Sequence, residues 1–578
     1  MQAFTGRLPF DGVFAYEKSG IGKIRFDCAV ANIMQNVTKL HAVGIFSTNR
    51  SLAGSDCQQA LAAKKPRLVP TLPICFMTIQ SRSISPEPFI STGIPGLDDI
   101  LGGGLTPNRV YLIEGEPGTG KTTTGLQFLM EGAQRGESVV YVTLAETAAE
   151  LTGVAASHDW DIEGVHIQEV LPAENLLQLE AQYTVFHPSE IEMGATTQLI
   201  LAVIDERKPT RVVIDSLSEL QLLADTPLRY RRQVLALKQF FSSRSCTVML
   251  LDDRSTAGAD LQVRSIAHGV ITLEQSVHEY GAERRRVRVV KYRGRAFRGG
   301  KHDYDIVNGG LRVYPRLVAS ESRVVTTREQ FQSGLEELDA LLGGGLEEGT
   351  STLIAGPPGT GKSSLASQFA CAAALRGEKS ALFLFEEAAN NLLNRADGLG
   401  MDIREPYESG LLSIQQVDPA ELSPGEFSSV VCAAADAGAK VVVIDSINGY
   451  LNAMPDARFL TTHLHELLTY LGQRGVVTIL IGVQQGMLGG AMSTSVDASY
   501  LADNVLVLRY FEHDGEVKQA ISVFKKRGGQ HERTIRQFSM SDKGIRVGEV
   551  LRGFRGILTG VPIYVGNNAT ATLDEEAS

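Results

Sequence analysis

The sequence predicts an α/β chain of two tandem domains, each a mostly parallel sheet flanked by helices. Three observations predict it. A glycine-rich stretch occurs twice, as "GEPGTGKTT" from Gly115 and "GPPGTGKSS" from Gly356. The segments around it recur in the same order. Short β-branched runs alternate with longer helical stretches in both copies, the pattern of strands buried on both faces.

The repeat extends well beyond the glycine-rich loops. "STGIPGLDDILGGGL" (Ser91–Leu105) parallels "QSGLEELDALLGGGL" (Gln332–Leu346). "SVVYVTLAET" parallels "SALFLFEEAA", "RVVIDSLSEL" parallels "VVVIDSINGY", and "VVKYRGR" parallels "VFKKRGG". A period this long means duplicated globular domains, placed at 84–318 and 325–562. The apolar runs "VYLIEG", "VVYVTL", "RVVIDS" and "TVMLL" in the first lobe, and "STLIAG", "ALFLF", "VVVID" and "VTILIG" in the second, read as the parallel strands. After them, shorter alternating strands such as "GVITLEQ" and "RRRVRVVKYRG" predict an antiparallel extension at the sheet edge. Residues 1–83 match neither lobe and read as an extension, flexible or, with a start at Met77, untranslated; 563–578 read as a tail.

With 578 residues the chain is long enough for several sizeable cores, and its 43% apolar content is that of a globular protein. The net charge of -11 argues against coating nucleic acid, which needs a basic footprint. Six cysteines without a C-x-x-C pair fit neither a disulfide framework nor a zinc site, and fit a reducing cytosol. No run is apolar enough for a membrane span and no secretory leader is recognisable, so a cytoplasmic location is expected.

G-x-x-x-x-G-K-[ST] is a phosphate loop when it follows a strand and opens a helix. One match could be a glycine-rich turn; two at equivalent positions make chance a poor account. Gly115, Gly118, Thr119, Gly120, Lys121, Thr122 and Thr123 form the first loop, and Gly356, Gly359, Thr360, Gly361, Lys362, Ser363 and Ser364 the second. Glycines let backbone N–H groups curl around phosphates, and the lysine reaches the β and γ phosphates of ATP. Thr122 and Ser363, with Asp215 and Asp445 at strand ends, are the candidate ligands of Mg²⁺; a strand-end aspartate alone would more simply be a turn residue. Glu386 and Glu387 follow the strand after the second loop, where a carboxylate can take a proton from water or a hydroxyl. The first lobe has Ala145 and Glu146 there, a single carboxylate. Lys291, Arg293, Lys525 and Arg527 lie late in their lobes and are candidate cations for a neighbouring subunit's nucleotide. The arginine-rich run around Arg284–Arg288 also reads as a charge-protected edge strand or a nucleic-acid contact. The histidines of "HLHE" lie on different helix faces, which argues against a metal site, and Trp160 reads as a packing residue.

These loops, the strand-end "EE" and "AE", the "VVIDS" strands and the K-x-R-G elements resemble the KaiC family of RecA-like ATPases, from about Ile84 to Val565. The resemblance implies tandem RecA-like P-loop NTPase domains in a double-ring hexamer, with ATP between subunits. It implies a slow ATPase in the first lobe and, in the second, an autokinase that phosphorylates an adjacent Ser–Thr pair and removes the phosphates. Ser499 and Tyr500 match that pair, tyrosine standing for threonine, and Glu386 matches the base. The expected function is signalling or circadian-type timing, with KaiB-like or histidine-kinase partners. The rivals are a RecA/RadA-type DNA-repair ATPase and a nucleotide-gated scaffold with little turnover.

Overall fold

The computed structural model describes residues 89–170, 188–224, 226–254, 260–277, 281–318, 329–452, 457–483, 498–559 and 561–566. The expected extension, the start at Met77 and the tail beyond 566 lie outside them. Both lobes belong to one compact unit, Ser83–Ser578.

In the first lobe the strands are β1 (Val110–Gly115), β2 (Val139–Thr143), β3 (His166–Glu169), β4 (Arg211–Asp215), β5 (Thr247–Asp253), β6 (Gly269–Ser276), β7 (Arg284–Tyr292), β8 (His302–Val307) and β9 (Gly310–Tyr314). They form one nine-stranded sheet in the order β3-β2-β4-β5-β1-β6-β7-β8-β9. The second lobe adds a small pair, β10 (Gln330–Phe331) with β11 (Leu346–Glu347). Its main strands are β12 (Ser351–Gly356), β13 (Lys379–Leu384), β14 (Leu412–Gln416), β15 (Ala439–Asp445), β16 (Val477–Val483), β17 (Asn504–His513), β18 (Glu516–Lys526), β19 (Arg536–Ser541) and β20 (Gly544–Val550). Their order, β14-β13-β15-β16-β12-β17-β18-β19-β20, repeats the first sheet. The duplication read from the sequence is a duplication of topology.

The central strands are apolar throughout because both sheet faces are covered. All of β1 is buried, and its side chains alternate between two clusters. Tyr111 and Ile113 join Phe128, Leu129 and Met249 on one face; Val110 and Leu112 join Ile200, Val234 and Phe241 on the other. The second lobe divides its core likewise, around Phe369 on one face and Phe427 on the other.

The antiparallel extension is present, with two corrections to its expected form. It begins one strand later, since β6 and β17 still run parallel to β1 and β12. Its leading strands are also not short: β17 and β18 have 10 and 11 residues. They are long because β17 pairs on both edges and is buried over most of its length, so each added residue gains ladder bonds and apolar burial.

Part of the arginine run is used between the lobes. Arg284 donates to the carbonyls of Glu421, Pro419 and Ala420 at 2.8, 3.1 and 3.3 Å. Asp303 accepts from the Gly425 amide at 2.8 Å, and Arg316 pairs with Glu466 at 2.7 Å. Trp160 packs against the first-lobe core, and His463 lies between Tyr450 and Ser428, at 2.6 and 3.3 Å.

Candidate functional site

Each phosphate loop joins a buried strand to a helix, Lys121–Gln134 or Lys362–Leu375. The residue before each helix is a glycine in the left-handed region, Gly120 at φ 83° and Gly361 at φ 92°. A Cβ on Gly120 would stand 2.8 Å from Ile306 Cδ1, and one on Gly361 2.5 Å from Met540 Sδ. The antiparallel extension thus braces the loop from below and leaves room for glycine alone. Thr119 and Thr360 close the turns by donating to the carbonyls of Glu116 and Pro357, at 2.7 and 2.8 Å. Thr123 and Ser364 are buried in the first helical turn. Gly115, Gly118, Gly356 and Gly359 complete the two loops, Gly118 and Gly359 also with positive φ.

The two lysines, 8% and 6% exposed, differ in their partners. Lys121 Nζ donates to the carbonyls of Gly115 and Glu116 at 3.0 and 2.9 Å and meets Asp253 Oδ1 at 2.7 Å. Among the described residues Lys362 Nζ has one hydrogen-bond acceptor, the Pro357 carbonyl, at 2.7 Å. Burial lowers the Lys362 pKa, against the pull of Asp445 and Glu386.

Asp215 and Asp445 end β4 and β15 beside the loops. Asp215 Oδ2 accepts from Thr122 Oγ1 at 3.1 Å and from Tyr141 OH at 2.6 Å. Asp445 accepts from Ser363. Burial raises the pKa of both aspartates, partly offset by these hydroxyl donors. A hydroxyl and a carboxylate on one spot are hard oxygen donors of the kind Mg²⁺ takes together with phosphate oxygens. Among the described residues no group of three or more His, Cys, Asp or Glu could hold a metal by itself, and a metal held through phosphates needs none.

The carboxylates beyond them separate the lobes. Glu386 is exposed and accepts from Ser446 Oγ at 2.8 Å. Glu387 is held by Arg395, whose Nη1 lies 2.6 Å from both its oxygens. In the first lobe Val154 occupies the place of Arg395. Among the described residues Glu146 Oε2 is buried without a hydrogen-bond partner. Burial, then Asp215, Glu150 and Asp253, raise the Glu146 pKa.

The sheet register fixes the remaining candidates. β17 starts at Asn504 opposite Thr352 and runs parallel to β12. Ser499 and Tyr500, in the short 3₁₀ turn Ala498–Tyr500 before it, therefore lie at the end of the sheet opposite Gly356. Thr352 and Gly356 alone are about 13 Å apart along the strand. Lys525 pairs in register with Val505, and Lys291 with Val270, at that same far end. Lys291 Nζ binds the carbonyls of Arg264 and Ala267 at 2.6 and 2.7 Å; Lys525 Nζ binds those of Ser499 and Ala502 at 2.9 and 2.7 Å. Arg293 and Arg527 bind the carbonyls of Ser265 and Tyr500, at 2.7 and 3.0 Å. The four cations thus share three equivalent carbonyl contacts in each lobe; Lys291 adds the Ser265 carbonyl at 3.2 Å, and Arg527 adds Asp503 Oδ1 at 3.2 Å. In the second lobe these contacts carry the backbone of Ser499 and Tyr500.

The family model of the KaiC ATPase matches residues 90–318 and 331–552. The chain belongs to the KaiC family. The Synechocystis circadian clock protein KaiC3 is similar to it, 27% identical over 84% of this chain and 96% of that protein. Circadian clock oscillator proteins KaiC of Parathermosynechococcus lividus and Synechococcus elongatus are each 28% identical, over 82% and 84% of this chain and 88% and 93% of theirs. The KaiC fold gives the tandem RecA-like architecture expected from the repeat, and an ATPase family implies ATP binding. Among the described residues no helix is long and apolar enough to cross a membrane.

Reading the sequence missed Asp253, Tyr141 and Arg395. Asp253 could have been found: it ends "VMLLDD" as Asp215 ends "VVID". Arg395 is two helical turns beyond Glu387, and nothing local marks their pairing.

Proposed function

We propose that this chain hydrolyses Mg-ATP in its first lobe and phosphorylates Ser499 with its second. The sites are shared between copies of the chain in a ring, expected to be a hexamer, and the role is KaiC-like timing or signalling. The observation that carries the reading is the separation of each phosphate loop from the cations and hydroxyl at the other end of its own sheet. A copy cannot readily bring its own Ser499 to its own loop, whereas a head-to-tail neighbour can.

In this reading Lys362 and the loop amides hold the phosphates, and Ser363 and Asp445 hold Mg²⁺, which supplies charge neutralisation when bound. Glu386 is the base. It is exposed and has no guanidinium partner among the described residues, so it can accept the Ser499 proton, whereas Glu387 is occupied by Arg395. A serine hydroxyl is a poor nucleophile until a base and a placed phosphoryl group meet it. Lys525 and Arg527 hold the acceptor turn and approach the neighbour's phosphates with it. Tyr500, 55% exposed, has a hydroxyl set further out and is the lesser acceptor. In the first lobe Glu146 activates water, with Thr122 and Asp215 on Mg²⁺ and Lys291 and Arg293 facing the neighbour. KaiB-like proteins or histidine kinases are the proposed downstream partners.

Incubation of the full chain with Mg-ATP, followed by phosphosite mapping and phosphate-release assays, tests this. The reading expects label on Ser499, continuing ATP turnover and nucleotide-dependent assembly. Assembly without turnover or label would favour a scaffold instead.

A further inference from the structure

Asp253 has no counterpart in the second lobe. It ends β5 directly opposite Gly115, where the second lobe has Val483 opposite Gly356. Its amide donates to Ser218 Oγ at 3.0 Å, which fixes the strand end beside the loop. Its carboxylate is 2.7 Å from Lys121 Nζ. An ammonium has three N–H donors, and all three of Lys121 are taken by Asp253 and the carbonyls of Gly115 and Glu116. Lys362, with one acceptor among the described residues, keeps donors for phosphate.

We propose that Asp253 is a latch specific to the first lobe: it neutralises Lys121 in the empty loop, and a triphosphate must displace it to bind. The inference rests on the reading of these loops as nucleotide sites. A displaced carboxylate next to phosphates is repelled by them. The repulsion is strongest for ATP without metal and smaller once Mg²⁺ has offset the phosphate charge. Asp253 therefore makes first-lobe loading depend on the metal-bound nucleotide. The second lobe, with valine there, is less selective. Asp253 is a positioning and selectivity residue, and the base in this lobe remains Glu146.

The test uses the full chain with one lobe silenced. In a Lys362→Ala background, binding of a fluorescent ATP analogue is measured with Mg²⁺ and with EDTA. Asp253→Asn should tighten metal-free binding about tenfold and Mg-loaded binding less than about threefold. The reciprocal Val483→Asp, in a Lys121→Ala background, should weaken metal-free binding at the second lobe by a similar factor. Unchanged metal-free affinity in Asp253→Asn would overturn the latch, and equal tightening with and without metal would overturn its selectivity for the metal-bound nucleotide; either leaves the nucleotide reading intact. If the Lys362→Ala chain fails to bind the Mg-loaded analogue both with Asp253 and with Asn, the nucleotide reading of the first loop falls, and the latch with it.

Discussion

The two lobes have the same strand order and equivalent cation–carbonyl contacts, yet their carboxylates are arranged differently. In the second lobe one glutamate is exposed and the other is tied to Arg395. In the first, Glu146 Oε2 has no hydrogen-bond partner among the described residues and its pKa is raised, and the loop lysine is held by Asp253. Topology is set by the apolar strands, which duplication copied. Chemistry is set by a few positions at strand ends, where a change costs the fold little. A duplicated ATPase can therefore diverge in reaction without diverging in shape.

The largest expected effect comes from removing one loop lysine at a time. Lys362→Ala should abolish Ser499 labelling, and Lys121→Ala should mainly impair nucleotide-dependent assembly. Phosphosite mapping and size measurement in ATP would show it. Equal damage to both readouts by both variants would erase the distinction between the lobes. Next, Glu386→Gln should cut Ser499 labelling about 10²-fold with ATP still bound, since the amide keeps the shape and loses the base.

The pH dependence sharpens the comparison. In the proposed mechanism the ionised form of Glu146 is the base, and burial raises its pKa. First-lobe hydrolysis is therefore lost as pH falls through a value above the ordinary carboxylate range, as a pH–rate profile of the Lys362→Ala chain would show. Val154→Arg would give Glu146 the partner that Glu387 has. It should move that acid limb to lower pH and slow hydrolysis a few-fold, as a neighbouring cation stabilises the carboxylate. The smallest effect is expected for Arg395→Ala, about threefold or less on Ser499 labelling, because it frees a glutamate to which the proposed mechanism gives no proton and breaks a partly exposed ion pair.

The fold was legible because both of its signals are local. Runs such as "VYLIEG" and "VVVID" can be buried only in a two-sided sheet, and the loop motif fixes where a strand meets a helix. The loop residues and Asp215 and Asp445 were legible for the same reason. Pairings across distant segments were not. Arg211, at the head of "RVVID", is buried against Phe128 and paired with Glu137 at 2.8 Å, a pairing across 74 residues that no local pattern marks. Arg284 reads as one of a run of edge charges, but it binds carbonyls of the other lobe. The position of Glu146 was clear from the repeat; that Val154 stands where the second lobe has Arg395 shows only once the two helices are set side by side.

The shared-site claim is tested most directly by mixing two variants. One carries Lys362→Ala and keeps Ser499; the other carries Ser499→Ala and keeps Lys362. Neither should label position 499 alone, and both should co-assemble with wild-type chain in ATP. The account predicts that label appears on Ser499 of the Lys362→Ala chain once the two are mixed, and does not form when they are mixed below the concentration at which they assemble. Co-assembled mixtures that remain unlabelled while the wild-type chain labels itself, undiminished by dilution, would contradict it.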